Sequence, residues 1–286
     1  MSGISIRCRA FDRRLFAPAI SSAGRVARRF SHAAVISFED GAELVLQSCG
    51  RPLVPQGIRL PAEAELPDAG EPVVRDGAGL DLGRATARRR LRLLGPGRDL
   101  FVPLQTAPSP PRPSPAAPRA HSLRPWRRIP SLDAGAMSSG PVERALAARL
   151  DQGLAALAAA VREAAAGGSS PIQDAVRGLL GLGRGSTPSG DDRLAGAAAA
   201  ARTLSLPGAR GLCHALASAA PEATTEAGWA MVREAALGYF VEPLALLARE
   251  WPAPRPATVA ALLSLGGSSG ADMLEGFLAL AEDDHG

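Results

Sequence analysis

The segment Gly181-Leu182-Gly183-Arg184-Gly185-Ser186-Thr187-Pro188-Ser189-Gly190-Asp191-Asp192 precedes an alanine-rich stretch of the chain. Its glycines permit positive φ angles and close backbone approach, so the segment is predicted to be a loop that leads directly into a helix. Thr187 is predicted to cap that helix, with Pro188 at its first position. A helix N-terminus with free N–H groups binds anions, and the carboxylates of Asp191 and Asp192 would complement the helix dipole or hold a cation.

A second copy of the motif lies near the C-terminus. Residues 189–196 and 269–276 share the pattern S-G-x-D-x-L-x-G, displaced by 80 positions. Either both segments begin helices whose small residues allow close packing, or the two helix N-termini face one polar ligand. Glycine inside a helix costs about 1 kcal/mol relative to alanine. Close helix packing or close approach to a ligand is therefore needed to explain the four glycines of the repeat. They are Gly190, Gly196, Gly270 and Gly276.

The two motifs together predict a polar site at paired helix termini. Its predicted catalytic residues are Asp191 and Asp192, which could also hold a divalent cation; no other cofactor is evident. Such a site suits a small anionic substrate, such as a phosphate or a dicarboxylate-like amide, and Arg184 could bind it in bidentate fashion. The predicted substrate-binding set consists of Gly183, Arg184, Gly185, Thr187, Ser189, Gly190, Ser268, Ser269, Gly270 and Asp272.

The segment Ala223-Thr224-Thr225-Glu226 is predicted to open another helix. Its hydroxyls could simply cap that helix, or they could form a third element of the polar site. The sequence favours neither interpretation decisively, so both stay open.

Several familiar sites do not fit the sequence. No G-K-[ST] follows the glycines, which excludes a P-loop, and no strand clearly precedes them, which argues against a dinucleotide-binding fingerprint. The three cysteines are widely spaced and form no C-x-x-C pair or metal-binding pattern, which indicates a reducing compartment. The histidines lie away from the glycine-rich segments and are predicted to be structural or solvated; they are His32, His121, His214 and His285.

Composition predicts a cytoplasmic protein with no membrane partner. The chain has 286 residues, is 46% hydrophobic and contains no apolar run of the roughly 18 residues that a membrane span needs. Its formal charge is +4, and its basic side chains other than histidine are all arginine, which we interpret as codon bias. Aromatic residues make up only 4% of the chain, too few for base-stacking surfaces, so nucleic acid is not expected as a partner.

The predicted fold class is α+β, in three parts. Residues 1–104 form a β-rich domain, in which Ala33–Phe38 and Glu43–Gln47 flank a turn as in a hairpin. Residues 105–140 form a Pro-rich linker, because consecutive prolines prevent helix and sheet formation. Residues 141–286 form a helical domain of seven or eight helices. The cluster Arg88-Arg89-Arg90 is predicted to be a solvated face, with a phosphate contact as the alternative.

The motif G-L-G-x-G-x-T-P-S-G-D-D-x-L-x-G resembles the signature of the AllH-type subunit family of oxamate carbamoyltransferase, formerly a bacterial domain of unknown function. The similarity extends to Thr224-Thr225 and to the terminal S-S-G-A-D-M-L-E-G. The hairpin followed by Gly50-Arg51-Pro52 also looks similar. The chain departs from the family pattern at Arg184, Ser186 and Gly267. The motif positions that it matches are Gly183, Gly185, Thr187, Ser189, Gly190, Asp191 and Asp192.

The resemblance implies a role in purine or allantoin breakdown, in which oxalurate plus phosphate and oxamate plus carbamoyl phosphate are interconverted. It also implies partner subunits, without which this chain could be inactive. The alternative is a non-catalytic structural or regulatory subunit in which the glycine motifs serve helix packing.

Overall fold

The computed structural model describes residues 4–16, 22–76, 79–83, 89–104, 140–164 and 170–281. The chain divides into two compact units, Met1–Leu100 and Phe101–Gly286. Strands occupy the first unit and helices the second, which confirms the predicted α+β class. The predicted Pro-rich linker lies outside the described residues, apart from its last position. Also outside them are Arg88, His121 and His285.

The first unit contains a nine-stranded sheet. Along the sheet the strands follow the order β1-β9-β8-β7-β3-β4-β5-β6-β2. Pairing is parallel between β1 and β9 and between β5 and β6, and antiparallel elsewhere. The strands are β1 Ile4–Cys8, β2 Ala10–Phe11, β3 Ser22–Arg29, β4 Ala33–Phe38, β5 Glu43–Gln47, β6 Gly57–Arg59, β7 Pro72–Asp76, β8 Gly79–Leu82 and β9 Arg89–Leu93.

The predicted hairpin is confirmed as β4 and β5. The two strands pair antiparallel from Ala33 opposite Gln47 to Ser37 opposite Glu43. Side chains along β4 alternate between half-buried and buried, as strand periodicity requires when one face is covered. The apolar residues of the covered face include Ala34, Ile36, Phe38, Leu44 and Leu46.

Strand β3 lies at the middle of the sheet, between β7 and β4. The sequence did not predict it, because only Ser22 and Val26 among its eight residues are buried. A strand with one large apolar side chain lacks the alternation that identifies strands in sequence.

The arginine cluster at the start of β9 is paired with carboxylates. Arg89 binds both carboxylate oxygens of Glu71, at 2.9 and 3.0 Å. Arg90 donates to Asp76 and to Asp81. The prediction of a solvated face is therefore wrong for these two side chains, which form ion pairs with Asp81 of the neighbouring strand β8, with Asp76 of β7 and with Glu71 just before β7. The alternative was a phosphate contact. The guanidinium N–H groups that would donate to a phosphate already donate to these carboxylates.

The second unit contains eight α-helices among its described residues, within the predicted range of seven or eight. A short 3₁₀ helix, Pro221–Ala223, precedes the fifth of them. The helices are α1 Pro141–Glu163, α2 Ser170–Leu179, α3 Ser189–Leu204, α4 Ala209–Ala217, α5 Glu226–Leu237, α6 Glu242–Glu250, α7 Pro256–Leu263 and α8 Ser269–Ala281.

Helix α3 is the centre of this unit. All of its residues from Gly190 to Thr203 are buried, and it packs against α1, α2, α4, α5, α6 and α8. An α-helix that is buried on every face needs small side chains where neighbouring helices approach closely. The run of five alanines from Ala197 to Ala201 meets that requirement, because each is at most 1% exposed.

Helices α3 and α8 contact each other backbone to backbone. A Cβ atom on Gly196 would lie 1.9 Å from the carbonyl oxygen of Met273, and one on Gly276 would lie 2.0 Å from that of Arg193. Each glycine therefore packs on the residue three positions before the other glycine. The contact is reciprocal, so a local two-fold axis relates the two copies of the sequence motif here.

Substitution of Gly196 or Gly276 by alanine is expected to destabilise this unit by about 1–3 kcal/mol, because the added methyl group overlaps a backbone carbonyl that cannot move freely. Urea unfolding followed by circular dichroism measures the effect. Gly178 of α2 provides a matched control, because nothing lies within 4 Å of a Cβ built there. Gly178→Ala should be neutral or stabilising by up to ~1 kcal/mol. Equal effects at all three positions would refute the close contact.

Candidate functional site

Helix α3 begins one residue later than the sequence predicted. Pro188 occupies the N-cap position with an extended backbone, and no side chain caps the helix. The predictions of Thr187 as the cap and of Pro188 at the first helical position are therefore wrong. The carbonyl oxygen of Pro188 accepts from the N–H groups of Asp191, at 2.9 Å, and Asp192, at 3.2 Å.

The N–H groups at the start of α3 are less available than predicted. Besides the two held by Pro188, the N–H of Gly190 donates to the carbonyl oxygen of Leu182 at 2.7 Å. At the start of α8, the N–H groups of Gly270 and Asp272 likewise donate to backbone carbonyls. An anion at these helix ends would find few free backbone donors.

The glycine-rich loop adopts the backbone that its sequence predicts. Gly181, Gly183 and Gly185 have φ angles of 72°, 132° and 98°. Gly181 is also a position of close approach, because a Cβ there would lie 2.0 Å from the carbonyl oxygen of Ala223. The loop is therefore held against the segment that leads into α5.

Asp191 fastens the loop to that segment. It is fully buried, and its Oδ1 accepts from the N–H of Gly181 at 2.7 Å. Its Oδ2 accepts from the hydroxyl of Thr224. Burial raises the pKa of Asp191, and these two hydrogen bonds offset part of the rise. Both oxygens of Asp191 are thus engaged by the chain itself.

Thr224 and Thr225 differ in their contacts, and the sequence left open whether they cap a helix or belong to the polar site. Thr225 caps α5 by accepting from the N–H of Gly228 at 3.0 Å, which confirms the cap interpretation for this residue. Its hydroxyl also donates to the carbonyl oxygen of Ser186 in the glycine-rich loop. Thr224 instead contacts Asp191, at the edge of the predicted site.

Asp192 differs from Asp191 in having no hydrogen-bond partner. Its side chain is fully buried, and neither carboxylate oxygen is paired among the described residues. Burial raises the pKa of Asp192 to about 7, and the charges of Asp272 and Asp191 add to the rise. The nearby hydroxyls of Ser269 and Thr187 lower it in part, although neither meets the full geometry of a hydrogen bond to the carboxylate.

The two motif loops meet at a pair of hydroxyls. Thr187 Oγ1 lies 3.1 Å from Ser269 Oγ, and both residues are half-buried. On the loop sides, Gly185 and Ser268 are exposed to solvent. The two hydroxyls thus lie in partly exposed loops and near the buried carboxylate of Asp192.

The second carboxylate of the repeat belongs to an ion-pair cluster. Asp272 is 3% exposed, and its Oδ1 accepts from Arg193 Nε at 3.3 Å, whereas its Oδ2 has no partner among the described atoms. Arg193 also pairs with Asp151 of α1 at 2.8 Å and with Glu275 of α8 at 2.5 Å. Sequence reasoning missed Arg193, although an arginine inside a helix rich in alanine and glycine was an available signal.

Several other predicted site residues contact their own chain. Arg184 is exposed and pairs with Glu143 of α1 at 3.0 Å. A Cβ on Gly190 would lie 1.9 Å from the carbonyl oxygen of Leu179, and one on Gly270 would lie at the same distance from that of Leu262. These two glycines approach the backbone of this chain. Their role in substrate binding, like that of Gly183, Gly185 and Ser189, stays a prediction.

The described residues contain no group of three or more His, Cys, Asp or Glu side chains that could hold a metal ion. The predicted divalent cation at Asp191 and Asp192 stays a prediction, and the hydrogen bonds of Asp191 leave Asp192 as the available ligand of the two. His32 and His214 are exposed and lie outside the hydroxyl and carboxylate cluster. No helix in the described ranges has both the length and the apolarity to cross a bilayer.

Residues 179–281 match the family model described as oxamate carbamoyltransferase subunit AllH. The match confirms the predicted resemblance over the stretch that contains both motifs and Thr224-Thr225. The β-rich unit lies outside it, so the similarity at Gly50-Arg51-Pro52 stays untested. No curated protein and no solved structure matches the chain.

Asp192→Asn is expected to change how stability depends on pH. The pKa of Asp192 rises from 3.8 to about 7 on folding, so the folded protein retains a proton that the unfolded chain releases in this range. As pH rises from 4 to 7, the contribution of this residue to the free energy of unfolding therefore decreases, by up to about 4 kcal/mol in total. The free energy of unfolding of the asparagine variant should exceed that of the unsubstituted protein by little at pH 5 and by up to about a few kcal/mol at pH 8.

Urea unfolding at both pH values, in buffer with EDTA, measures this difference. Asp174→Asn is the control, because Asp174 lies on the exposed surface of α2 and pairs only with the exposed Arg177 among the contacts described for it. If the stability difference between Asp192→Asn and the unsubstituted protein is the same at pH 5 and pH 8, that result would contradict a raised pKa of Asp192.

Proposed function

We propose that this chain is a subunit of an oxamate carbamoyltransferase and that a small anionic substrate binds where its two motif loops meet. The observation that carries the proposal is the hydroxyl pair of Thr187 and Ser269 beside the buried, unpaired carboxylate of Asp192. The family match at residues 179–281 supports the reaction class.

Hydroxyl groups suit this role because each can donate to an anionic oxygen and accept from an amide N–H. The N-terminal ends of α3 and α8 add positive dipole potential at the same place, since Asp192 and Asp272 both lie in first turns. Phosphate, carbamoyl phosphate and oxamate all carry oxygens that such a surface can bind. The hydroxyls and dipoles compensate for the shortage of free backbone donors.

The reaction transfers a carbamoyl group between the amide nitrogen of oxamate and phosphate. In the direction of oxalurate formation, the amide nitrogen forms a bond to the carbonyl carbon of carbamoyl phosphate, the carbon–oxygen bond to phosphate breaks, and the nitrogen loses a proton. Catalysis of such a transfer depends mainly on positioning and on electrostatic stabilisation of the leaving phosphate.

Asp191 and Asp192 take different parts in this proposal. Asp192 is the catalytic carboxylate, because its free oxygens lie beside the hydroxyl pair and can contact bound substrate. Asp191 is a positioning residue that does not contact the substrate, because the hydrogen bonds that it accepts from Gly181 and Thr224 hold the loop that carries Thr187. Arg184 could reach substrate only after leaving Glu143.

Partner subunits belong to the proposal, since the family description is that of one subunit of an enzyme. A site formed by two exposed loops leaves room for a partner to cover bound substrate and exclude water. Activity is therefore expected from the assembled enzyme, with binding detectable on this chain alone.

A non-catalytic structural subunit is the second candidate. The observation that favours it is that Gly190, Gly196, Gly270 and Gly276 all face backbone carbonyl oxygens of this chain. Helix packing alone thus accounts for the glycines of the repeat. It does not account for the unpaired, buried carboxylate of Asp192, which costs stability without serving packing.

Ser269→Ala and Thr187→Val are expected to weaken binding of phosphate or oxamate at least tenfold, because each removes one hydroxyl from the site. Isothermal titration of the purified chain measures the change. Carbamoyl phosphate consumption by the assembly with its partner subunits should fall by a similar or larger factor.

Ser264→Ala is the matched control. Ser264 is exposed at the end of α7, and its hydroxyl donates to the carbonyl oxygen of Ala261. This variant should bind like the unsubstituted protein. Unchanged binding and turnover in the variants at Ser269 and Thr187 would favour the structural candidate.

A further inference from the structure

We propose that Asp192 and Asp272 hold a hard divalent cation of the Mg²⁺ class, together with the hydroxyls of Thr187 and Ser269. The cation would bridge the protein to the oxygens of the bound anion. The cation site is inferred from the protein's own side chains, and only its bridging role rests on the proposed function.

Unpaired, buried carboxylate oxygens are the first reason. Asp192 is 0% exposed with both oxygens free of hydrogen bonds, and Asp272 is 3% exposed with Oδ2 free. A buried carboxylate without partners carries a large desolvation penalty. Proteins satisfy such groups with hydrogen bonds, ion pairs or metal ions. Within the described residues these three oxygens have no hydrogen bond of full geometry, although the hydroxyls of Ser269 and Thr187 lie near Asp192 and Arg193 pairs with the other oxygen of Asp272.

The charge balance is the second reason. Around the hydroxyl pair, carboxyl groups come from Asp191, Asp192 and Asp272, and Glu275 lies one turn further along α8. Within the described part of the chain, the cation in contact with this cluster is Arg193, which is already shared by three carboxylates. When ionised, these carboxylates outnumber Arg193 and repel an anionic substrate. A divalent cation reverses the sign locally.

The third reason is the chemistry of the donors. All candidate ligands are oxygens, two from carboxylates and two from hydroxyls, and hard cations prefer oxygen ligands. Magnesium sites that act on phosphorylated substrates commonly use one or two carboxylates and leave the other positions to water and substrate oxygens. Two carboxylates are therefore sufficient for a cation that is shared with the substrate.

The backbone explains how the two carboxylates come together. Asp192 and Asp272 occupy equivalent positions of the repeat, one turn before the glycines through which α3 and α8 make contact. The reciprocal contact brings equivalent positions of the two helices near the same local axis. Consistent with this placement, the charge of Asp272 acts directly on Asp192.

Titration of the full-length chain with MnCl₂ at pH 8, followed by electron paramagnetic resonance, tests the inference. Manganese is a spectroscopic substitute for magnesium, and MgCl₂ should displace it. We expect one bound ion per chain and binding at least tenfold weaker in Asp192→Asn and in Asp272→Asn. The control Asp174→Asn, on the exposed surface of α2, should bind like the unsubstituted protein. Circular dichroism verifies that each variant is folded.

Absence of a bound ion would overturn the inference. So would Mn²⁺ affinity in the Asp192→Asn and Asp272→Asn variants that equals the affinity of the unsubstituted protein. Isothermal titrations with phosphate and with oxamate, each with and without MgCl₂, separate it from the proposed function. Anion binding that needs no Mg²⁺ would overturn the bridging role and leave the proposed function standing. Manganese binding without any response to these anions or to carbamoyl phosphate would support the cation site and contradict the proposed function.

Discussion

The close contact between helices α3 and α8 is the constraint on which the helical unit depends. Gly196 and Gly276 let each backbone approach a carbonyl oxygen of the other helix, which no residue with a side chain permits. This contact holds the backbones of the two helices together. It thereby places Thr187 next to Ser269 and brings Asp192 near Asp272. Packing and candidate site are thus consequences of the same contact.

Hydrogen bonding at the start of α3 distinguishes two adjacent carboxylates that are equally buried. Asp191 is satisfied by Gly181 and Thr224 and so stabilises the loop. Asp192 is equally buried but unpaired, and its raised pKa expresses the free-energy cost of that arrangement. Groups with strongly perturbed pKa values are frequent at functional sites. This cost is the reason for which we propose a functional role for Asp192.

The sequence was sufficient for the fold class, the repeat and the positive φ angles of the loop, because glycine spacing and helical periodicity are local signals. It was insufficient for β3, whose single large apolar residue Val26 leaves no periodic pattern. It also did not predict the ion pair of Arg184 with Glu143, because the two residues are 41 positions apart and no local signal reveals their contact. The different partners of Asp191 and Asp192 depend on tertiary contacts, so adjacent carboxylates look equivalent in sequence.

The adjacency of the two motif loops is the central claim, and an engineered disulfide tests it most directly. Cysteines replace Thr187 and Ser269, whose hydroxyl oxygens lie 3.1 Å apart, in a chain whose Cys8, Cys49 and Cys213 are serine. Mass spectrometry after mild oxidation should show an intramolecular disulfide that links the peptides containing positions 187 and 269. Two free thiols in the folded protein after oxidation would contradict the account.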